Sequence, residues 1–158
     1  MGQKGFSLIE LVITIGVISI LLSIATLEFN KYMTKSHIES QVKMMYSDIM
    51  NARAEALMQK SDRSIKVDTT PKVFSVHPSS DGSGTPLLQR TLKFPLDSDH
   101  GNPVAFDTRG VASIAKAICV GANGNPAAVD SIIISETRIQ LGKRQTGGAC
   151  DNAHIDAK

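Results

Sequence analysis

The sequence predicts an α+β protein: one long N-terminal helix, apolar in its first half and amphipathic in its second, packed on a C-terminal antiparallel β-sheet head. Three observations carry this. An apolar run extends from Phe6 to Leu27, broken only by Glu10 and small residues. Neither Gly nor Pro occurs from Glu28 to Lys60, where Ile38, Val42, Met45, Ile49, Ala52 and Ala56 recur at alternating steps of four and three, one stripe of a helix. Beyond Arg63 the pattern changes to short alternating or β-branched segments separated by turn residues.

In chain order, residues 1–5 form a short polar stretch with one positive charge at Lys4. Residues 6–27, about 22 in all, are long enough as a helix to cross a bilayer core of about 30 Å. A secretory signal has a shorter apolar stretch followed by a small-residue cleavage site, whereas here the helical pattern runs on through Asn30 and Tyr32, so the apolar segment reads as retained. Lys4 ahead of the span places the leader in the cytoplasm and the rest outside, a bias that Lys31 and Lys35 weaken. Residues 28–60 continue the helix, which if unbroken reaches about 80 Å. Met44, Met45 and Met50 at helical spacing read as core filler rather than as an adaptable binding surface. Residues 61–158 form the β-rich head, with strands expected at Ser64–Val67, Val73–Val76, Thr91–Phe94, Val104–Phe106, Ala117–Val120, Ser131–Ser135 and Arg138–Leu141.

Glu10 is the odd residue of the span. A carboxylate in an apolar segment costs roughly 2.5 kcal/mol or more on insertion scales, so it implies a partner or a function. Here the sequence resembles the type IV prepilins: Lys4-Gly5-Phe6-Ser7-Leu8-Ile9-Glu10-Leu11 matches their processing motif. The resemblance implies a pilin fold, cleavage after Gly5 by a prepilin peptidase, methylation of the new Phe6 amine, and assembly with other pilins or pseudopilins on an inner-membrane platform. It also gives Glu10 a partner, since its carboxylate can pair with the Phe6 amine of a neighbouring subunit and cancel two buried charges. A plain signal anchor, or the tail of a membrane enzyme, would not explain why Gly5 directly precedes the span. Pilins usually carry a helix-kinking proline near the end of this segment, and Ala25-Thr26-Leu27-Glu28-Phe29 has none.

A second resemblance covers roughly the last third. Phe106-Asp107-Thr108-Arg109-Gly110, then Ile132 to Arg138 and a late cysteine, is similar to the FimT/GspH subgroup of minor pilins and pseudopilins. FimT-like pilins of DNA uptake carry Gly-Arg-x-Arg where this chain has Thr137-Arg138-Ile139-Gln140, so Arg138 alone carries over. Arg138, Lys143 and Arg144, with Arg109 near them in space, are then the expected basic concentration of the head and the candidate contacts to DNA phosphate. No aromatic residue interleaves them to stack bases.

Composition bounds the rest. The 158 residues are 42% hydrophobic and 20% charged, enough for one packed domain, and the net charge of +2 is too small to predict nucleic-acid binding without a local patch. The two cysteines, Cys119 and Cys150, lack CxxC spacing; they form one disulfide if this part is exported, or two free thiols in a reducing compartment. His37, His77, His100 and His154 are scattered, and no nucleophile motif occurs, so neither an enzyme nor a cofactor or metal is expected. Asp97, Asp99 and Asn102 lack the ligand order of a calcium loop and read as a solvated turn. The expected function is therefore structural. It is a minor subunit of a type IV pilus or a type II secretion pseudopilus, anchored in the inner membrane with its head in the periplasm and serving initiation or tip assembly. A pilus-associated DNA receptor is the alternative.

Overall fold

The computed structural model describes residues 6–158, so the leader and the expected cleavage position at Gly5 lie outside the described residues. A single α-helix, α1, runs unbroken over Leu8–Gln59, 52 residues or about 78 Å. No proline interrupts its hydrogen-bond ladder, and Lys60 ends it in the left-handed conformation at φ 51°. Nine strands follow: β1 (Arg63–Asp68), β2 (Val73–His77), β3 (Leu88–Thr91), β4 (Leu96–Ser98), β5 (Val104–Phe106), β6 (Lys116–Val120), β7 (Ser131–Ile134), β8 (Ile139–Arg144) and β9 (Ile155–Ala157).

The strands form two antiparallel sheets, not the single sheet the sequence predicts. One has the order β3-β2-β1-β5, the other β4-β6-β7-β8-β9. The break falls where Thr91–Phe94 was expected to be a strand. The strand there is Leu88–Thr91, and the next residues pass along the helix instead. Gln41 Oε1 accepts the backbone N–H groups of Lys93 and Phe94, each at 3.1 Å, so a helix side chain satisfies amides that a neighbouring strand would otherwise take. The apolar alternation of Leu92 and Phe94 is genuine, because both side chains join the core. What differs is the partner of the backbone. Strands β4 and β9 do not announce themselves in the sequence, because each has one large apolar residue in three, whereas β5, equally short, has two flanking a small one.

Both sheets give one face to α1. Ile38, Val42, Met45, Ile49, Ala52 and Ala56, the predicted stripe, are all at most 2% exposed and pack with Ile65, Val67, Phe74, Val76, Val104 and Phe106 of the first sheet and Ile118, Val120, Ile132, Ile134 and Ile139 of the second. The second sheet is covered on its other face too. Ala117, Cys119 and Ile133 meet Cys150 and Ile155 of the C-terminal segment in a smaller cluster, and Cys119 and Cys150 are bonded there across a Cα separation of 6.0 Å. The continuous Ile132-Ile133-Ile134 run is the signature of a strand buried on both faces.

The far end of the helix is fitted closely. Gly110, at φ +72°, lies where a Cβ would come 2.9 Å from Leu57 Cδ1, and its carbonyl accepts a 2.8 Å hydrogen bond from Arg53 Nε. Asp107 holds the turn by accepting the N–H groups of Arg109 and Val111 at 2.9 Å each. This is why the Asp-x-Arg-Gly segment has its composition: the carboxylate builds the turn and the glycine lets the helix approach.

Two stability outcomes follow. Gly110→Ala combines a strained left-handed φ with a steric overlap and should cost about 1–3 kcal/mol in thermal or chemical unfolding. Replacing Cys119 and Cys150 by alanine should cost about 2–4 kcal/mol for a closed loop of 31 residues, with protease cleavage appearing first beyond Arg144. An unchanged melting temperature in either variant would contradict this account.

Candidate functional site: the assembly helix and the base of the head

The first half of α1 has no protein partner in the isolated chain. Leu8, Ile9, Leu11, Val12, Ile13, Ile15, Val17, Ile18, Ile20, Leu21, Leu22 and Ile24 are all between 52% and 80% exposed, in a helix whose most apolar window reaches a mean hydropathy of 2.6. Length and apolarity suffice to cross a membrane. Its hydroxyls are already satisfied: Thr14, Ser19, Ser23 and Thr26 each donate back to a carbonyl three or four residues earlier, at 2.8 to 3.0 Å. An apolar surrounding therefore strands none of these four groups.

Glu10 is different. It lies in the first turn of α1, where the unsatisfied N–H groups and the helix dipole favour a negative charge, but no hydrogen bond or ion pair engages its carboxylate among the described residues. Phe6, 82% exposed, precedes it by about one turn. The two residues implicated by the sequence thus stand about one turn apart near the start of the described helix, an acidic group and an apolar side chain both exposed.

The second half of α1 holds the head by polar latches beside the apolar stripe. Glu39 Oε1 accepts Ala128 N–H at 2.9 Å. Gln41 grips the Lys93-Phe94 backbone, and Asp48, mostly buried, accepts a two-pronged contact from Arg90 at 2.5 and 3.2 Å. The buried Arg63 ties the start of β1 to the end of the helix through Ser61, the Asp62 carbonyl, Glu55 and Gln59. None of these latches was read from the sequence, because each is a pairing between residues that only folding brings together.

The structure separates the basic residues expected to act as one group. Arg138 is exposed in the β7–β8 turn, while Lys143 and Arg144 sit at the opposite end of β8, about 20 Å away at the usual rise of a strand. Their charges are engaged. Lys143 Nζ is 2.7 Å from Asp130 Oδ2 and also donates to the Asn125 carbonyl; Arg144, 6% exposed, meets Asp97 at 3.2 Å and the Gly121 carbonyl. The expected patch of Arg138, Lys143 and Arg144 is thus corrected to one exposed arginine and two cations built into the fold. Arg109 is exposed but contacts Asp107. Asp97 and Asp99 do not form a solvated turn of their own, since Asp97 pairs with Arg144 and Asp99 accepts Ala117 N–H. His77 is buried against Ser75 Oγ and the Gly84 carbonyl, and His154 contacts Asp151.

Asp130 is the organising residue of this corner. Burial pushes its carboxyl pKa up, but Lys143, the Arg144 N–H, the Ser131 hydroxyl and Asn125 all donate to it and together hold it below the ordinary carboxylate value. A depressed folded pKa means stability that is complete above the unfolded value, about 3.9, and lost as pH falls through the folded value. Asp130→Asn should therefore lower the melting temperature near neutral pH and remove part of the acid-side loss, read as a shallower slope of melting temperature against pH below about pH 4. Parallel slopes in the two proteins would sink this assignment.

Comparison with known proteins agrees with this geometry. A family model described as the prokaryotic N-terminal methylation motif matches residues 1–26. A search of curated protein sequences returns no match. Among solved structures, the chain is similar to the type IV minor pilin FimU of Pseudomonas aeruginosa, with a TM-score of 0.58 and 20% identity over 70% of this chain and 91% of that one. It is also similar to the minor pseudopilin EpsH of the type 2 secretion system of Vibrio cholerae, with a TM-score of 0.52 and 15% identity over 66% of this chain and 95% of that one. At these identities the likeness shows the fold: the chain has a type IV pilin-like fold and carries the prokaryotic N-terminal methylation motif at residues 1–26.

Proposed function

We propose that the chain is the precursor of a minor pilin or pseudopilin that is cut after Gly5 and N-methylated at Phe6 by a prepilin peptidase. It waits in the inner membrane with its head in the periplasm, then enters a type IV pilus or type II secretion pseudopilus. In this reading residues 1–5 are the leader, 6–27 the membrane and filament-core segment, 28–60 the helix that carries the head, and 61–158 the head. The observation that carries it is Glu10, a carboxylate with no partner among the described residues, about one turn behind Phe6 on an otherwise apolar helix whose hydroxyls bond back to its own carbonyls. In a filament core the α-amine released on Phe6 of one subunit is the natural counter-charge for Glu10 of the next, and neither charge is tolerable there alone. The likeness to one minor pilin and one minor pseudopilin supports a low-abundance role at initiation or at the tip.

The DNA-receptor alternative draws no support from the head. It rested on three cations acting together, and two of them are committed to Asp130 and Asp97.

The test is the intact mass of the protein from membranes of cells with and without the peptidase. A product lacking residues 1–5 and carrying one methyl group, made only when the peptidase is present, supports the precursor reading; an uncut chain in both strains would overturn it. Glu10→Ala should still be inserted and cleaved, yet its incorporation into sheared filaments should fall by at least tenfold, given that leaving one buried charge unpaired costs about 3–5 kcal/mol.

A further inference from the structure

The underside of the head, where it meets the bare helix, carries lysines without acidic partners. Residues 28–37 are helical, and none of their side chains is fully buried; Ile38 is the first to enter the core. Three segments of the head come down to this level, one of them the loop that bonds Ala128 N–H to Glu39. Gln41 fixes Lys93 and Phe94, and Lys72, from the β1–β2 turn, donates its Nζ to the Lys93 carbonyl at 3.1 Å. Lys72 and Lys93 are exposed, with Lys93 Nζ 5.7 Å from the Phe94 ring centroid. Lys35 precedes Ile38 by three residues and so lies on the helix face beneath the head. A shallow groove of about 230 Å³ between His37, Ser40, Met44 and Lys93 opens at the same place.

The carboxylates of this end are occupied. Glu28 pairs with Lys31, Asp68 with Lys66, Asp97 with Arg144, Asp130 with Lys143 and Asp151 with His154, while Glu39 gives one oxygen to Ala128 N–H and lies 4.0 Å from Lys43 with the other. Among the described residues, Lys35, Lys72 and Lys93 are left over. The apolar run stops at Leu27, so Lys35 and His37 stand about 12 and 15 Å beyond the edge of a bilayer core. The headgroup layer fills roughly the first 5–8 Å of that distance, and the Debye length at physiological ionic strength is about 8 Å. The Lys35 ammonium is thus within electrostatic reach of the membrane surface with the helix upright, while Lys72 and Lys93, level with Gln41 at about 21 Å beyond the core edge, reach it when the helix tilts toward their side.

We propose that the underside of the head is a docking surface for anionic phospholipid, with Lys35, Lys72 and Lys93 meeting headgroup phosphates of the bilayer that holds the helix. It rests on the reading that residues 6–27 span a membrane before assembly. A lipid surface is the fitting partner because the helix, continuous with the apolar segment, carries Lys35 close to the headgroup level, and a tilt within the ordinary range for a membrane helix lowers Lys72 and Lys93 toward it. Docking holds the unassembled head against the bilayer and fixes its tilt. Leaving the membrane for a filament then requires these contacts to be released.

The experiment uses the full chain reconstituted in vesicles of phosphatidylcholine alone, or of equal parts phosphatidylcholine and phosphatidylglycerol, with amine acylation at each lysine read by mass spectrometry. Expected is slower modification of Lys35, Lys72 and Lys93 in the anionic vesicles only, reversed by high salt, with Lys60 and Lys158 unchanged. Each lysine near an anionic surface should contribute about fivefold to the docked-to-undocked ratio, so Lys72→Gln with Lys93→Gln should lower the protection of Lys35 by up to about 25-fold. Both side chains are exposed, and circular dichroism checks that the variant is folded. Equal rates in the two vesicle types, or equal protection by inorganic phosphate without phosphatidylglycerol, would overturn the lipid assignment while flotation with the vesicles leaves the membrane reading standing. A chain that floats with neither vesicle would overturn both.

Discussion

Everything in this molecule hangs on the continuity of one helix through two solvents. α1 is apolar around its whole circumference as far as Leu27 and one-sided from Ile38 onward, and its backbone ladder does not notice the change. A helix satisfies its own peptide groups whatever surrounds it, which is why the same element can be solvated by hydrocarbon at one end and by a protein core at the other. The head folds onto a surface that the apolar segment extends without a joint. Its orientation relative to the apolar rod is therefore set by the phase of the stripe and not by a linker.

The stripe is narrow and small toward its end, with Ala52 and Ala56 allowing the sheets to approach closely where Gly110 also meets Leu57. Two sheets can share one helix because the chain crosses between them beside it. Gln41 makes this crossing tolerable by taking two backbone amides that would otherwise be left without partners near the core. The second sheet then gains its own outer layer from the C-terminal segment, closed by the disulfide and by the pairing of β9 on β8.

What the sequence made legible was whatever is periodic or local. The stripe from Ile38 to Ala56 was read residue by residue, and the processing motif was read from eight consecutive positions. Most strands were placed within a residue or two, since alternation and turn residues mark them. Thr91–Phe94 was misplaced because side-chain alternation reports which face is buried and says nothing of what the backbone bonds to. Lys143 and Arg144 look like free charge in the sequence for the same kind of reason: Asp130 and Asp97 are 13 and 47 residues away in the chain, and charge in a sequence carries no sign of its partner. The lysines at the base of the head were invisible by the converse argument, since Lys35, Lys72 and Lys93 are neighbours only in the fold.

The placing of the latches has a mechanical side. Glu39, Gln41, Asp48 and Arg53 engage the head at intervals along the helix, and Glu55 and Gln59 take Arg63 of β1 at its end, with the apolar stripe between them. A pull on the rod along its axis loads all of these contacts in parallel, as shear, and none can be opened singly in the manner of a zipper. The disulfide lies behind the second sheet, off that line of force. It guards the tail against unravelling, while tension along the rod is shared between these noncovalent contacts and the backbone that joins α1 to β1.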